Sequence, residues 1–284
     1  MRVCVLGHRG MLGHVVARYL SERGCTVTQV RCRFTAKDPA FIREIEAAEP
    51  EWCINCTGLR ASAALRRDQL FEVNALLPQY CAQALRGRAR FLQASTDGVF
   101  RPDSKDRRAC EKGDATDDYG VSKWSAEEAV TGAGGIVLRC SILGPELGEP
   151  RSLFGWFLSR TGEVNGYTNH FWNGITTLEW AKVCWELMSG QRQAEVQVVQ
   201  PGIWPAMSKC EVLHLIGQVW GLKVKVRPAE AVEVVVRTLI PTLQRSNLQQ
   251  QLRELKAWYE PQKSGRPPRQ TSGESTARVH PSRV

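Results

Sequence analysis

Tyr119-Gly-Val-Ser-Lys123 sets a phenol and an ammonium four residues apart, on one face of any helix that holds them. A free phenol, with a pKa of about 10, exchanges its proton poorly at neutral pH. A nearby ammonium stabilises the phenolate, so the pairing is expected to lower the pKa of Tyr119 and suit it to acid–base work at a carbonyl–alcohol centre. Lys123 can also reach the ribose of a nicotinamide cofactor. Upstream, Ala94-Ser95-Thr96-Asp97 closes an apolar run, and a hydroxyl there can orient the reacting oxygen. Thr96, Tyr119 and Lys123 are therefore the candidate catalytic residues. Such a tyrosine–lysine spacing means little alone and gains meaning from its company.

That company begins at the N-terminus. Gly7-His8-Arg9-Gly10-Met11-Leu12-Gly13 follows the apolar run Arg2 to Leu6 and opens an amphipathic stretch. This is a G-x-x-G-x-x-G variant of the dinucleotide fingerprint: Gly7 for the tight turn, Gly10 for approach to a pyrophosphate, Gly13 for close helix–strand packing. The helix N-terminus would offer unpaired N–H groups and a positive dipole end to phosphate. At the end of the second expected strand stands Val30-Arg31-Cys32-Arg33, with no acidic residue to favour a free ribose 2′-hydroxyl. Arg31 and Arg33 suit a 2′-phosphate, so NADP(H) is expected over NAD(H). His8 and Arg9, in the same loop, are further phosphate candidates.

The elements that must position these residues alternate. Strands are expected at Arg2–Leu6, Cys25–Arg31, Trp52–Cys56, Phe91–Ala94 and Gly135–Arg139, and helices at Met11–Arg23, from Asp38-Pro39 to before Pro50, at Gln69–Leu85 and at Tyr119–Val130. Alternation of this kind predicts an α/β protein with a doubly wound parallel sheet, and places ligands beyond the carboxyl ends of the strands. Later come a helix over Thr176–Met188, a strand over Glu195–Val199, and Ser208-x-x-Glu211 as a capping box for a helix reaching Trp220. The expected division is a dinucleotide-binding domain at 1–143, a smaller substrate-binding lobe at 144–260 with returning sheet elements, and a disordered basic tail at 261–284. Asn165, Tyr167, Asn169, His170 and Trp172 form a polar-aromatic segment that could face a substrate.

The 284 residues include 43% hydrophobic and 24% charged residues, ordinary for a globular chain and enough for a sizeable core. The net charge is +9, and the tail holds five basic residues against Glu274, so the remainder is unremarkable. No stacking aromatics accompany the basic residues, which argues against nucleic acid. No apolar stretch approaches a membrane span, and the apolar start is too short for a signal peptide. The ten cysteines show no compact framework, and Cys53-x-x-Cys56 has no second pair at zinc spacing. A reducing, cytoplasmic setting is expected, with these cysteines structural. The five dispersed histidines give no zinc-hydrolase spacing.

Taken together, Gly7 to Gly13, Asn55-Cys56-Thr57-Gly58, Val73-Asn74, Ser95-Thr96-Asp97-Gly98-Val99-Phe100, Tyr119 to Lys123, Leu138-Arg139-Cys140-Ser141 and Gly174-Ile175-Thr176 give the chain a clear resemblance. It resembles an extended short-chain dehydrogenase/reductase, most closely the dTDP-4-dehydrorhamnose reductase family of nucleotide-sugar reductases, over roughly residues 1–190. The resemblance implies the NAD(P)-binding Rossmann fold, Thr96, Tyr119 and Lys123 as the catalytic set, and Gly10, Met11, Leu12, Cys56, Thr57 and Gly58 along the cofactor, with Ala94 and Ser95 nearby. It implies reduction of a keto group on a nucleotide-linked deoxysugar, as in dTDP-rhamnose and polysaccharide biosynthesis. Gly98 replaces the family's usual tyrosine, and Ile142-Leu143-Gly144 replace an aromatic after the Leu-Arg-x-Ser strand, which leaves the sugar open. A nucleotide-sugar epimerase or dehydratase, or a catalytically silent cofactor-binding subunit, are the alternatives. Some members form dimers with magnesium held by acidic residues near the interface. A homodimer stays open here, but His14 stands in the corresponding region, so no metal is expected.

Overall fold

A computed structural model describes residues 1–260 apart from 37, 61–64, 103–105 and 193–195. The basic tail at 261–284 lies outside the described residues. The first half runs β1 (Arg2–Leu6), α1 (Gly13–Glu22), β2 (Thr26–Gln29), α2 (Ala40–Ala47), β3 (Trp52–Asn55), α3 (Arg67–Phe71), α4 (Leu77–Ala84), β4 (Arg90–Ser95), α5 (Asp118–Gly132) and β5 (Ile136–Arg139). It continues through β6 (Ile142–Leu143), α6 (Leu153–Leu158), β7 (Gly162–Tyr167), β8 (His170–Trp172), β9 (Ile175–Thr176) and α7 (Thr177–Met188). The remainder is β10 (Val198–Val199), β11 (Pro201–Gly202), β12 (Met207–Ser208), α8 (Lys209–Trp220), β13 (Val224–Ala229), β14 (Val235–Arg237), β15 (Leu243–Gln244) and α9 (Leu248–Tyr259).

Six strands form one parallel sheet in the order β10-β5-β4-β3-β1-β2. β3 and β5 are buried along their whole length, as parallel strands covered on both faces must be. The period of two sorts their side chains. Val3, Val5, Ile54, Leu92 and Leu138 face α1 and α7, where Val15, Val16, Trp180 and Val183 meet them. Cys4, Leu6, Cys53, Phe91 and Val137 face α2 and α4, against Ile42, Ile45, Leu77 and Cys81. β2 lies on one side of β1 while β3, β4 and β5 follow in turn on the other, so the strand order reverses between β1 and β3. That switch point opens a crevice at their carboxyl ends.

The doubly wound α/β sheet is thus as expected, while several boundaries differ. β2 stops at Gln29, and just beyond it the backbone N–H groups of Arg31 and Cys32 donate to the Glu44 carboxylate at 2.9 and 3.0 Å instead of to a strand. Gln69–Leu85 is not one helix: α3 and α4 flank a π-helical turn at Glu72–Leu76. Of the strand expected at Glu195–Val199, only Val198 and Val199 pair, with β5, and Glu195 lies outside the described residues. α1 begins at Gly13 rather than Met11. Asp38 caps α2 by accepting from the N–H of Ala40 at 2.8 Å, so Pro39 is the residue before the first turn. The Ser208–Glu211 capping box opens α8 as expected.

Elements beyond β5 build a second apolar cluster around Phe154, Phe157, Leu213, Ile216, Leu248 and Leu252, with Phe154 edge-on to Trp220. Here β7 pairs with β13 and β8 sits between β12 and β14. The Asn173 side chain ties this layer together, donating to the carbonyl of Leu239 and accepting from its N–H. Among the described residues no helix is long and apolar enough to cross a membrane.

Candidate active site

The glycine loop occupies the switch point. Gly7 has φ +74° and lies so close to Thr57 that a Cβ on it would stand 2.9 Å from the Thr57 nitrogen. A Cβ on Gly13 would stand 2.1 Å from the Gly7 carbonyl oxygen. The α1 N-terminus thus folds directly over the end of β1, which only glycine permits. No side chain caps α1 and no acidic residue lies in its first turn, so its positive dipole end is not offset, although the N–H groups of His14 and Val15 already donate to the carbonyls of Gly10 and Leu12. Nδ1 of His8 is buried without a partner. Burial first, then Arg9 and Arg31, hold the His8 pKa below its ordinary value, so positive charge gathers at this loop. Arg31 and Arg33 are both exposed. These features fit a dinucleotide: glycines at the points of closest approach, a helix dipole end with no acidic residue to offset it, and surrounding cations.

Opposite the loop, a buried amide chain fixes the end of β3. Asn55 donates to Gln93 at 2.8 Å and accepts from the Thr57 N–H at 3.0 Å. Asn74, inside the π-helical turn, accepts from the Leu59 N–H at 2.8 Å and donates to the Leu59 carbonyl at 2.9 Å and to Ser122 at 3.2 Å. Residues 55–59 are therefore clamped from both sides.

The catalytic candidates meet at the end of β4. α5 is capped by Asp117, whose carboxylate accepts from the Gly120 N–H at 3.0 Å. Gly120 brings the helix onto the turn after β4, since a Cβ there would lie 2.3 Å from the Gly98 carbonyl oxygen. Tyr119 is thereby laid beside Thr96, and a Cβ on Gly98 would be 3.2 Å from the tyrosine ring. The Thr96 hydroxyl donates to Asp97 at 2.9 Å and accepts from the Gly98 N–H at 3.0 Å. Lys123 is buried and donates to the Ala94 carbonyl at 2.7 Å.

One expectation is corrected here. The Tyr119 pKa is raised, not lowered: burial pushes it up and Asp97 adds to this, while Thr96, Arg60 and Arg237 pull the other way. Lys123 instead extends its ammonium to the carbonyl of Ala94 on β4. There burial depresses its pKa to about 8, against the pull of Glu127 and Cys56. Ser95, expected near the cofactor, turns its hydroxyl inward to Glu127. Glu127 is also held by Nε and Nη2 of Arg139, both residues being almost wholly buried.

Three cations absent from the sequence reading complete the site. Arg60, Lys209 and Arg237 come from the loop after β3, the start of α8 and the end of β14. Burial, Arg237 and Arg60 lower the pKa of Lys209, while Asp97 raises it. Burial raises the Asp97 pKa, against Arg237 and Thr96. These groups therefore lie near enough to Tyr119 and to one another to act on each other's charge. His14, by contrast, spans Gly10 and α9: its Nδ1 lies 2.8 Å from the Gly10 carbonyl and its Nε2 3.3 Å from the Tyr259 hydroxyl.

A model of the RmlD substrate binding domain family matches residues 1–155. The chain belongs to this family. Solved structures agree in fold. A dTDP-4-dehydrorhamnose reductase from Clostridium acetobutylicum is 18% identical, covers 91% of this chain and 99% of its own, and has a TM-score of 0.73. The Bacillus anthracis dTDP-4-dehydrorhamnose reductase, in complex with NADP, is 17% identical with the same coverage and a TM-score of 0.76. A Thermotoga maritima UDP-glucose 4-epimerase with UDP-glucose is 16% identical, covers 93% of this chain and 100% of its own, and has a TM-score of 0.72. No curated protein matches the chain significantly in sequence. This RmlD-family chain thus shares the Rossmann fold of short-chain dehydrogenase/reductase enzymes that act on nucleotide sugars.

Proposed function

We propose that the protein reduces a keto group on a nucleotide-linked deoxysugar with NADPH. The observation that carries this reading is the meeting of Tyr119 and Thr96 above the buried Lys123, at the carboxyl end of β4 and beside the β1–β3 crevice. Gly7, Gly10, Met11, Leu12 and Gly13 would hold the pyrophosphate, Arg31, Arg33 and His8 the 2′-phosphate, Cys56, Thr57 and Gly58 the adjoining ribose, and Ala94, Ser95 and Lys123 the nicotinamide end. The reduced nicotinamide supplies a hydride to the carbonyl carbon. Tyr119 gives its proton to the carbonyl oxygen. Its raised pKa suits that direction, because it keeps the phenol protonated at neutral pH while the nascent alkoxide is a far stronger base. Thr96 holds the oxygen in place. Arg60, Lys209 and Arg237 suit a diphosphate-bearing substrate, and under a proposed division at residue 143 the last two would belong to the substrate-binding lobe.

The test is direct. Purified protein is mixed with NADPH and a panel of 4-keto nucleotide sugars, and reduced cofactor is followed by absorbance. Stoichiometric oxidation, abolished in Tyr119→Phe, supports the reductase. Isomerised sugar at constant cofactor would replace it with an epimerase, and binding without consumption on every member would replace it with a silent cofactor-binding subunit.

A further inference from the structure

A hydroxyl has one proton to give and two lone pairs with which to accept. The proton of Thr96 goes to Oδ1 of Asp97 at 2.9 Å, and the Gly98 N–H takes one lone pair at 3.0 Å. As long as Asp97 is ionised, Thr96 therefore has nothing left to donate to a substrate oxygen. A protonated Asp97 would reverse the bond: its O–H would donate to Thr96, and the Thr96 proton would be free to point at the substrate. Around Asp97 stand Arg237 at the end of β14, Lys209 at the start of α8, Tyr119 on α5 and Cys140 after β5, with Arg60 after β3 beside Tyr119 and Lys209. Arg237 favours the carboxylate, as does Lys209, whose own charge Asp97 supports, and burial opposes it most strongly.

We propose that Asp97 is a positioning residue acting through Thr96, and that the diphosphate of an arriving nucleotide sugar, by neutralising Lys209 and Arg237, causes Asp97 to take up a proton and turn Thr96 into a donor. The proton comes from solvent and stays on Asp97. Hydride and the Tyr119 proton still make the new C–H and O–H bonds, so Asp97 is not consumed. This inference rests on the reading of the three cations as a diphosphate site. It also gives the Thr96–Asp97 bond a purpose, since substrate charge prepares the hydrogen bond that the reacting oxygen needs.

The experiment is calorimetric titration with UDP-glucose and dTDP-glucose, whose bridged diphosphates do not titrate in this range, in buffers of differing ionisation enthalpy between pH 5 and 8. Binding to the wild type is expected to take up a substantial fraction of one proton. Asp97→Asn is expected to bind equally or more tightly and to lose that uptake, leaving only any share of Lys209. An infrared difference spectrum of the wild type alone should show a protonated carboxyl band on addition of the nucleotide sugar, which keeps the test independent of how well the variant folds. Undiminished proton uptake in Asp97→Asn, or no carboxyl band in the wild type, would overturn the assignment while leaving the diphosphate site standing. No binding heat in either protein would overturn the diphosphate reading, and the assignment with it.

Discussion

Replacing Lys123 by Met is expected to make the protein more stable at neutral pH while removing its activity. Lys123 is 4% exposed, and its pKa lies at about 8 against an ordinary 10.5. At about 1.4 kcal/mol per tenfold change, keeping the buried ammonium charged costs about 3 kcal/mol. The favourable pull of Glu127 is already contained in that figure. Met has nearly the same length and no charge, and what it loses is the bond to the Ala94 carbonyl, worth about 1 kcal/mol. A net gain of about 2 kcal/mol follows, which for a chain of this size raises the melting temperature by roughly 5 °C. The sign with pH is fixed by linkage. Below about 8 the lysine is charged in both folded and unfolded chains and the cost is complete; as pH rises from there toward 10.5 the folded protein sheds the proton first and the cost disappears. The advantage of Lys123→Met should therefore be largest at pH 7 and shrink steadily above pH 8. Thermal or urea unfolding of both proteins, taken as a difference so that the cysteines cancel, measures it. A variant less stable than wild type at pH 7, or a difference that stays flat with pH, would refute the placement of a desolvated ammonium at this position.

Three further outcomes follow from the geometry. Gly13→Ala puts a Cβ 2.1 Å from the Gly7 carbonyl, all backbone, and should weaken NADPH binding at least tenfold in a fluorescence titration. Gly120→Ala would ordinarily stabilise a helix by about 1 kcal/mol; here, with Gly98 oxygen at 2.3 Å, it should instead cost about 1–3 kcal/mol in urea unfolding and displace Tyr119 enough to lower turnover. Glu127→Gln leaves the Arg139 guanidinium buried without its counter-charge and should cost about 3–5 kcal/mol, much of it recovered in the double variant with Arg139→Met.

What was legible in the sequence was what is local. The glycine loop announces itself because its spacing is dictated by one turn and one helix end, and the Ser208–Glu211 box because both partners lie within four residues. Tyr119 and Lys123 share a helix face as their spacing demands, yet a shared face is not a contact. The lysine stem is long enough to choose the Ala94 carbonyl, and only the packing of α5 on β4 reveals that. The π-helical turn was hidden for the same reason, since Asn74 bonds to Leu59 in a segment remote in sequence. Arg60, Lys209 and Arg237 carry no common pattern, coming from three separate stretches of chain that only the fold assembles.

The last described helix has a bearing on how the first loop is held. α9 lays Trp258 against the Arg18 guanidinium at 3.7 Å, its indole N–H donates to Glu22, and Tyr259 meets His14, whose ring in turn holds the Gly10 carbonyl. A carbonyl only accepts, so Nδ1 of His14 carries the proton and Nε2 accepts from the tyrosine. A nascent chain emerging from the ribosome can complete β1 and α1 early, but the brace on its glycine loop arrives more than two hundred residues later. The brace on the glycine loop is thus drawn from the far end of the described fold, and a fragment that stops short of α9 would lack it.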